Sequence, residues 1–281
     1  MRAVVVSDTG DPALTDVDEP AGASESLRVL ACGLCGSDVE KLRPEHAGAV
    51  LGHEVVARTS DGRRVALVHH NACGSCEQCL AGHESLCEQF AAPTIHPGGF
   101  AEHVLADAWV ELPSDIDDAR GTMVEPLACV LRGIRRVPTG RVLVVGHGFM
   151  GHLFAAVLRD RGDEVFVVDR DPRRTGPAPT GLVDTVILAG PGGADIAVDA
   201  VRAGGAIVVF ADAGSIAAEA IYRQELTIVG VRSASPAMMS EAVALLPRLP
   251  VPEPLVLPLG RFAEGLELFR RRETLKVVFV P

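Results

Sequence analysis

One stretch decides the fold of the second half of the chain: Val142-Leu143-Val144-Val145-Gly146-His147-Gly148-Phe149-Met150-Gly151. An apolar run of strand length leads into a GxGxxG pattern, where a helix is expected to begin. Glycines at these positions allow a tight turn and let a pyrophosphate approach the N-terminus of the helix. The stretch therefore predicts the first strand–turn–helix unit of a nucleotide-binding sheet.

The residues that follow continue the same alternation. Apolar runs recur at Val165–Asp169, Thr185–Ala189 and Ala206–Phe210, and helical patterns lie at Leu153–Arg161 and Ala194–Ala203. Strands that alternate with helices indicate parallel βαβ units, so we expect a doubly wound α/β sheet.

Asp169 ends the strand that follows the glycine turn. An acidic residue there hydrogen-bonds the adenosine ribose hydroxyls and repels a 2′-phosphate, which favours NAD as the cofactor. NADP stays an alternative, because an arginine among Arg170, Arg173 and Arg174 is able to receive that phosphate. The candidate cofactor-binding residues are Gly146, Gly148, Gly151, Asp169 and Arg174.

The first part of the chain has a different pattern, with short apolar runs separated by Gly, Pro and Asp, which predicts a β-rich domain. The chain ends in helical patterns at Ser240–Leu249 and Phe262–Arg271 and a closing strand at Leu275–Val280. We expect this tail to fold back onto the N-terminal domain, with one cleft between two lobes. The predicted domains are 1–122 with 232–281, which is catalytic, and 123–231, which binds NAD.

Composition narrows the classes of function. The chain has 281 residues, a net charge of −11 and no long basic run, which argues against nucleic acid and anionic membrane surfaces as partners. The first residues are too weakly apolar for a signal peptide, and apolar stretches are interrupted before membrane-spanning length. We therefore expect a cytoplasmic protein.

Four of the seven cysteines lie close together, at Cys73, Cys76, Cys79 and Cys87. Clustered thiols in a reducing compartment are metal ligands more often than disulfides. Zinc accepts four thiolates in a closed tetrahedral shell, so the spacing predicts a structural zinc site. Cysteines without metal and an iron–sulfur cluster are the alternatives, and the spacing and the lack of a following Pro disfavour the cluster.

A second group of residues predicts an open metal site. Cys35-Gly36-Ser37-Asp38 and Gly52-His53-Glu54 supply a thiolate, an imidazole and carboxylates, a mixed ligand set that leaves room for water or substrate. Glu125 opens a helix at the predicted domain junction and is a further candidate ligand. A satisfied buried histidine at His53, and a carboxylate that favours the helix N-terminus at Glu125, are the alternative interpretations.

These motifs, together with Gly98-Gly99-Phe100-Ala101-Glu102 and Glu125-Pro126-Leu127-Ala128, occur in an order that resembles the medium-chain zinc-dependent dehydrogenases, in the branch of sorbitol, polyol and threonine dehydrogenases. The resemblance covers essentially the whole chain. It implies a GroES-like β-rich catalytic domain joined to a Rossmann-type sheet, two zinc ions per chain, and NAD. It also implies a homo-oligomer, either a dimer or a tetramer.

The resemblance further implies roles for individual residues. Cys35 and His53 match catalytic zinc ligands, and Glu54 and Glu125 match carboxylates that bind zinc directly or through water. Asp38 matches the carboxylate that orients the zinc-bound imidazole. The hydroxyl that receives the proton of the substrate is matched by Ser37.

The sequence departs from that family in three places. Glu40 stands where relatives often have a relay histidine, and the loop between Glu54 and Arg64 is shortened. Between Asp169 and Thr185 the chain is too short for a further βα unit, since a whole crossover needs roughly 30 residues. The nucleotide-binding sheet is therefore predicted to lack about one βα unit.

The reaction implied is hydride transfer between an alcohol, such as a secondary alcohol or polyol, and NAD. One alternative is a biosynthetic reductase that acts on a carbonyl, an imine or an activated alkene. Another, of a different class, is a non-catalytic nucleotide-sensing or scaffold protein, which the open metal site disfavours because a scaffold has no use for unsaturated zinc. The expected partner is a small-molecule alcohol or carbonyl compound.

Overall fold

The computed structural model describes residues 1–90 and 92–281. In chain order the strands are β1 (Arg2–Val6), β2 (Pro12–Asp16), β3 (Glu25–Gly33), β4 (Glu54–Arg58), β5 (Arg64–Leu67), β6 (Ile95–His96), β7 (His103–Ala106), β8 (Trp109–Glu111), β9 (Arg141–Val145), β10 (Glu164–Val168), β11 (Val183–Leu188), β12 (Val201–Val209), β13 (Thr227–Gly230), β14 (Leu255–Pro258) and β15 (Val277–Val280). The α-helices are α1 (Gly36–Glu40), α2 (Glu77–Leu80), α3 (Asp118–Gly121), α4 (Val124–Ile134), α5 (Phe149–Arg161), α6 (Ala194–Ala200), α7 (Ala218–Gln224), α8 (Pro236–Leu245) and α9 (Phe262–Arg270).

The chain divides into two compact units. The first unit consists of Met1–Ala128, Ala234–Pro247 and Pro252–Pro281, and the second of Cys129–Ser233 and Arg248–Val251. The chain thus leaves the first unit, builds the second and returns. Within the described part of the chain, every helix is too short or too polar to cross a membrane.

The first unit is built on a mainly antiparallel sheet with the strand order β14-β15-β3-β4-β5-β8, in which β7 pairs with β3 and β6. Strand β15, at the C-terminus, pairs with β3 so that Phe279 lies opposite Cys32. The ring of Phe279 packs against Phe100 and Phe262 in the core of this unit. Burial of these apolar side chains ties the tail of the chain to the N-terminal sheet.

The second unit holds a parallel sheet with the order β10-β9-β11-β12-β13. Its β9 strand lies inside the sheet, between β10 and β11, and is apolar, as expected for a parallel strand covered on both faces. Helix α5 contacts β9 and β10, while α6 contacts β9, β11 and β12. The mixed α/β fold with a Rossmann-type sheet, predicted from the sequence, is confirmed.

The sheet of the second unit is shorter than a complete doubly wound sheet. The usual order is 3-2-1-4-5-6, and β10 corresponds to strand 2 of that scheme. In the described residues β10 is an edge strand. The connection from β10 to β11 contains a 3₁₀ turn, Pro172–Arg174, whereas a complete doubly wound sheet would have a further helix and strand at this point. This arrangement matches the predicted loss of about one βα unit.

Several elements differ from the sequence-based expectation. The fourth strand begins only at Glu54, because the residues before it form the turn that carries His53. Helix α8 begins at Pro236 rather than Ser240, since a proline is well suited to the first helical turn. Helix α7 and strand β13 complete the parallel sheet and were not predicted, because their short apolar patterns are weak.

Candidate active site

Three side chains of the first unit converge as a candidate metal centre. Ligand atoms of Cys35, His53 and Glu54 all lie within 4.8 Å of one another. Cys35 is the N-cap of α1, and Glu54 is the first residue of β4. Gly52 makes the intervening turn at φ +97°, where a Cβ would lie 2.8 Å from the Cys32 sulfur. The close approach of this turn to the core requires glycine.

Asp38 connects the two chain segments that carry these side chains. Its Oδ2 accepts a hydrogen bond from the backbone N–H of Cys35 (3.0 Å), and its Oδ1 accepts from the backbone N–H of Gly52 (3.2 Å). The Nδ1 atom of His53 lies 3.2 Å from the same Oδ1. With Nδ1 bonded to the carboxylate, Nε2 of His53 is the nitrogen that remains for a metal.

Asp38 and His53 shift each other's pKa. Burial alone would raise the pKa of the Asp38 carboxyl, but His53 and the two backbone N–H groups outweigh burial and lower it. Burial would lower the pKa of His53, yet Asp38 and Cys35 raise it well above its ordinary value. A metal ion at this position would compete with a proton for the imidazole of His53.

The carboxylate of Glu54 has a second partner, Lys276, which the sequence analysis did not identify. Both side chains are buried, and the Lys276 ammonium donates a hydrogen bond to Glu54 Oε2. The same ammonium donates to the backbone carbonyl of Leu34 at 3.1 Å. A carboxylate has two oxygens, so Glu54 can accept from Lys276 through one and bind a metal through the other. The sequence offered only one signal, a lysine beside the closing apolar strand.

Glu125 lies apart from the group formed by Cys35, His53 and Glu54. It is buried in the first turn of α4 and lines a small cavity in the first unit, together with His69 and Ser235. The structure therefore places Glu54 in the candidate metal centre and Glu125 on a neighbouring cavity wall.

Two histidines that had no assigned role extend from the metal centre as a row of stacked rings. The ring centroid of His69 lies 4.5 Å from that of His53 and 3.9 Å from that of His70. His70 stacks on Phe90 at 4.2 Å, and its Nδ1 lies 2.9 Å from the Phe90 carbonyl oxygen. Burial, with the adjacent His53 and His70, lowers the pKa of His69 to about 2. His69 is thus a neutral imidazole beside the metal centre.

Ser37 is half-buried in the first turn of α1, two residues after Cys35. Glu40, which replaces the relay histidine of relatives, ends the same helix and is exposed to solvent. The two side chains thus belong to the helix that follows the Cys35 ligand.

The four clustered cysteines form the second candidate metal site. Their sulfur atoms lie within 4.8 Å of one another, and all four are free thiols rather than disulfides. The backbone N–H of Cys76 donates to the Cys73 sulfur at 3.3 Å, and that of Cys73 donates to the Cys87 sulfur at 3.4 Å. Such N–H groups stabilise thiolates, and this donor set fits a tetrahedral zinc ion.

The surroundings of these thiols shift their pKa values in opposite directions. Backbone N–H groups of Ser75 and Cys76 lower the pKa of Cys73 to about 6. Burial and the neighbouring sulfur of Cys76 raise the pKa of Cys79 to about 12. The loop therefore holds thiolate and thiol side by side until a cation replaces the remaining protons.

The glycine turn of the second unit has the geometry expected of a nucleotide site. Gly146 adopts φ +90°, and Gly148 is the N-cap of α5. A Cβ on Gly151 would lie 2.0 Å from the Gly146 carbonyl oxygen, so helix and turn pack too closely for any side chain. The N-terminus of α5 is therefore open to a close-approaching phosphate group.

Asp169 lies beside this turn. Its carboxylate accepts hydrogen bonds from the backbone N–H groups of His147 (2.7 Å) and Asp171 (2.9 Å). Asp171 in turn pairs with Arg173 at 2.7 Å and with Arg174 at 3.8 Å. Both of these arginines are thus engaged by a carboxylate of their own loop.

Comparisons with known proteins agree with this architecture. The sequence profile of the alcohol dehydrogenase GroES-like domain matches residues 25–115. A sorbitol dehydrogenase from Halalkalibacterium halodurans is 27% identical, with 88% of each chain covered. The structure of an alcohol dehydrogenase from Thermus sp. ATN1 superposes with a TM-score of 0.86 at 25% identity, covering 100% of both chains. Residues 25–115 thus match the alcohol dehydrogenase GroES-like domain, and the chain as a whole is similar in sequence and fold to medium-chain dehydrogenases.

One relative is matched over only part of its length. An L-galactonate-5-dehydrogenase from Escherichia coli is 29% identical over 178 residues, and the match covers 57% of this chain and 52% of the relative. The chain thus spans about half the length of this curated relative.

Proposed function

We propose that this medium-chain dehydrogenase is a zinc-dependent oxidoreductase that transfers hydride between an alcohol, including secondary alcohols and polyols, and NAD. The observation that carries the proposal is the convergence of Cys35, His53 and Glu54 on one point. A thiolate, an imidazole and a carboxylate make a three-ligand set that leaves one tetrahedral position for substrate, whereas a structural zinc site is closed.

Zinc at this position would lower the pKa of an alcohol, and in the reverse direction would polarise a carbonyl. The other requirements are met by residues of the chain. Asp38 holds His53 with Nε2 free, and Lys276 fixes the carboxylate of Glu54. Ser37 is proposed to relay the hydroxyl proton, taking it up as it passes its own proton on to water, because it is a half-buried hydroxyl on the helix that follows Cys35.

The loop after β10 supports NAD rather than NADP as the proposed cofactor. The carboxylate of Asp169 is held beside the glycine turn, where it would meet the ribose hydroxyls and repel a 2′-phosphate. Arg173 and Arg174 are paired with Asp171, which reduces their availability to a phosphate. Nicotinamide would be the hydride acceptor, since protein side chains do not supply that chemistry.

The proposal is tested by metal analysis combined with a substrate screen. We expect two zinc ions per purified chain, one of which is lost in a Cys35→Ala variant, and NAD reduction with a panel of secondary alcohols and polyols. The reverse reaction is followed with NADH and the matching ketones. One zinc per chain that is unchanged by Cys35→Ala, with no turnover in either direction, would contradict the proposal and favour a non-catalytic protein.

The proposed assembly of the protein rests on the family resemblance alone. A homo-oligomer is expected, and light scattering on the zinc-loaded protein measures its mass. A monomer would contradict this expectation without affecting the proposed chemistry.

A further inference from the structure

His147, which lies between the first two glycines of the glycine turn, has a ring that the proposed chemistry does not use. Its Nδ1 atom lies 2.7 Å from the carbonyl oxygen of Arg174, in the loop after β10. Its Nε2 atom is buried and has no hydrogen-bond partner among residues 1–90 and 92–281. A carbonyl oxygen only accepts hydrogen bonds, so the proton is on Nδ1 and the ring donates to Arg174.

A second histidine fixes the orientation of this ring. The ring of His152, on α5, stacks on that of His147 with centroids 3.6 Å apart and planes 2° from parallel. The Nδ1 atom of His152 lies 2.9 Å from the carbonyl oxygen of Gly148, so it is a donor as well. Burial, with the nearby His152 and Arg159, lowers the pKa of His147. The imidazole of His147 is therefore neutral at pH 7 and keeps its proton on Nδ1.

The loop that accepts this hydrogen bond, residues 169–176, folds back on the end of β10. The backbone N–H of Asp169 donates to the Thr175 hydroxyl oxygen at 2.9 Å, and that hydroxyl donates to the Asp169 carbonyl oxygen at 3.0 Å. The backbone N–H of Gly176 donates to the carbonyl oxygen of Val167, in β10, at 3.0 Å. The first and last residues of the loop are thus held close together.

These contacts form a closed network of hydrogen bonds around Asp169. The backbone N–H of His147 donates to the Asp169 carboxylate at 2.7 Å. The ring of the same histidine holds Arg174, and the next residue, Thr175, holds the backbone of Asp169. Asp169 is therefore fixed through its side chain and through its main chain, and both connections begin at His147. In a complete doubly wound sheet a further helix follows the acidic residue, whereas this loop has only the 3₁₀ turn Pro172–Arg174.

We propose that His147 is a positioning residue whose ring holds the loop 169–176, and with it the carboxylate of Asp169, in place for the adenosine ribose of the cofactor. The inference rests on the proposed function, because it concerns the same cofactor site. A loop that is ordered before binding raises affinity, since less conformational entropy is lost when the ligand binds. The proposal requires the hydrogen-bond donor of the ring rather than the imidazole as such.

The test separates the donor of His147 from its ring in the full chain. His147→Phe keeps a ring for the stack but removes the donor, whereas His147→Asn loses the ring and keeps an N–H donor. The probes are NADH and ADP-ribose, which lacks the nicotinamide, and calorimetry measures both affinities. His147→Phe should weaken both by about 2- to 10-fold, the size of one hydrogen bond, and His147→Asn should restore most of the loss. Tyr222→Ala removes an exposed ring of the second unit and should bind both probes as the wild type does.

A second variant breaks the network at an exposed side chain, so that no buried ring is disturbed. Thr175→Val removes the hydroxyl that bonds the backbone of Asp169 and should weaken ADP-ribose binding to a similar extent. The double variant of His147→Phe and Thr175→Val should lose less affinity than the product of the two single losses, because both substitutions release the same loop.

An ADP-ribose affinity that both His147→Phe and Thr175→Val leave unchanged would overturn the inference. Losses that simply multiply in the double variant, or a loss that His147→Asn does not restore, would overturn it as well. These binding measurements need no alcohol turnover, so an inactive chain that shows the expected changes contradicts only the proposed function. A wild-type chain that binds neither NADH nor ADP-ribose contradicts both.

Discussion

Asp38 is not one of the candidate metal ligands, but its hydrogen bonds hold the residues of the candidate metal centre in place. It accepts hydrogen bonds from the backbone of both ligand-bearing segments and from the ring of His53. One carboxylate thus fixes the distance between the segments and the orientation of the imidazole.

Replacement of this carboxylate is the first prediction at the scale of residues. Asp38→Asn should weaken zinc binding at the Cys35 site by about 10- to 100-fold, because the orienting partner of a metal-bound histidine is weakened. Competition with a chelator measures the affinity, and the zinc of the four-cysteine loop serves as an internal reference. Asp61→Asn, in an exposed turn, is the matched control. Equal affinities in the Asp38→Asn variant and the wild type would contradict the role assigned to Asp38.

Lys276 gives the second prediction at this scale. Lys276→Met leaves the buried carboxylate of Glu54 without its cation, and the loss of one partner of a buried ion pair costs about 3–5 kcal/mol. Urea unfolding of the zinc-free protein should show this loss in the free energy of unfolding. Lys41→Met removes an exposed lysine and should change stability little. Similar stability of the two variants would show that Glu54 does not depend on Lys276.

At the scale of elements, the Cys73–Cys87 loop couples metal binding to pH. The pKa of Cys79 is raised to about 12, so its proton must leave when a metal binds. Zinc binding to the loop should therefore release protons, and its apparent affinity should fall as pH is lowered from 8 to 6. Calorimetry in buffers of different ionisation enthalpy counts the protons. A Cys35→Ala background removes the signal of the other site, and an affinity that is independent of pH would contradict the prediction.

The fourth prediction concerns the glycine turn, where two substitutions should affect stability and cofactor binding separately. Gly151→Ala places a methyl group 2.0 Å from a backbone oxygen and should destabilise the second unit. At Gly148 a Cβ meets nothing within 4 Å, so Gly148→Ala should fold normally but weaken NADH binding by crowding the phosphate position. Thermal unfolding and fluorescence titration with NADH measure the two effects. NADH affinity that Gly148→Ala leaves unchanged would argue against a phosphate at this turn.

A row of stacked aromatic and imidazole rings connects the two candidate metal sites of the first unit. Phe90 follows the last cysteine of the loop by three residues, and its ring stacks on His70. Through His69 the stack reaches His53. The cysteine loop therefore helps to position the wall of the candidate active site.

For the whole molecule, each of the two units contains a hydrophobic cluster of its own. Scanning calorimetry should therefore resolve two transitions, of which zinc raises one and NADH raises the other. A ligand at 100 times its Kd stabilises the unit that binds it by about 2.7 kcal/mol. A single transition that responds equally to zinc and NADH would show that the units unfold together.

Local motifs allowed much of this molecule to be predicted from sequence. The glycine turn, the four cysteines, and the segments around Cys35 and His53 are each contained in a short stretch. Their geometry depends mainly on neighbours along the chain, such as a turn that only glycine accommodates or a helix that begins at Cys35. For these, residue type and spacing were sufficient to predict a parallel sheet of reduced size, whereas the ligand roles of the candidate residues stay predictions.

Contacts between side chains that are distant in sequence depend on the tertiary fold. Lys276 reaches Glu54 across 222 residues, and His69 and Ser235 share a cavity although they lie on separate elements. The first of these contacts depends on the register of β15 against β3, because a slip of one residue turns a strand side chain to the opposite face. The second depends on where α8 begins. No local pattern encodes that register, since it is set by the packing of the complete core.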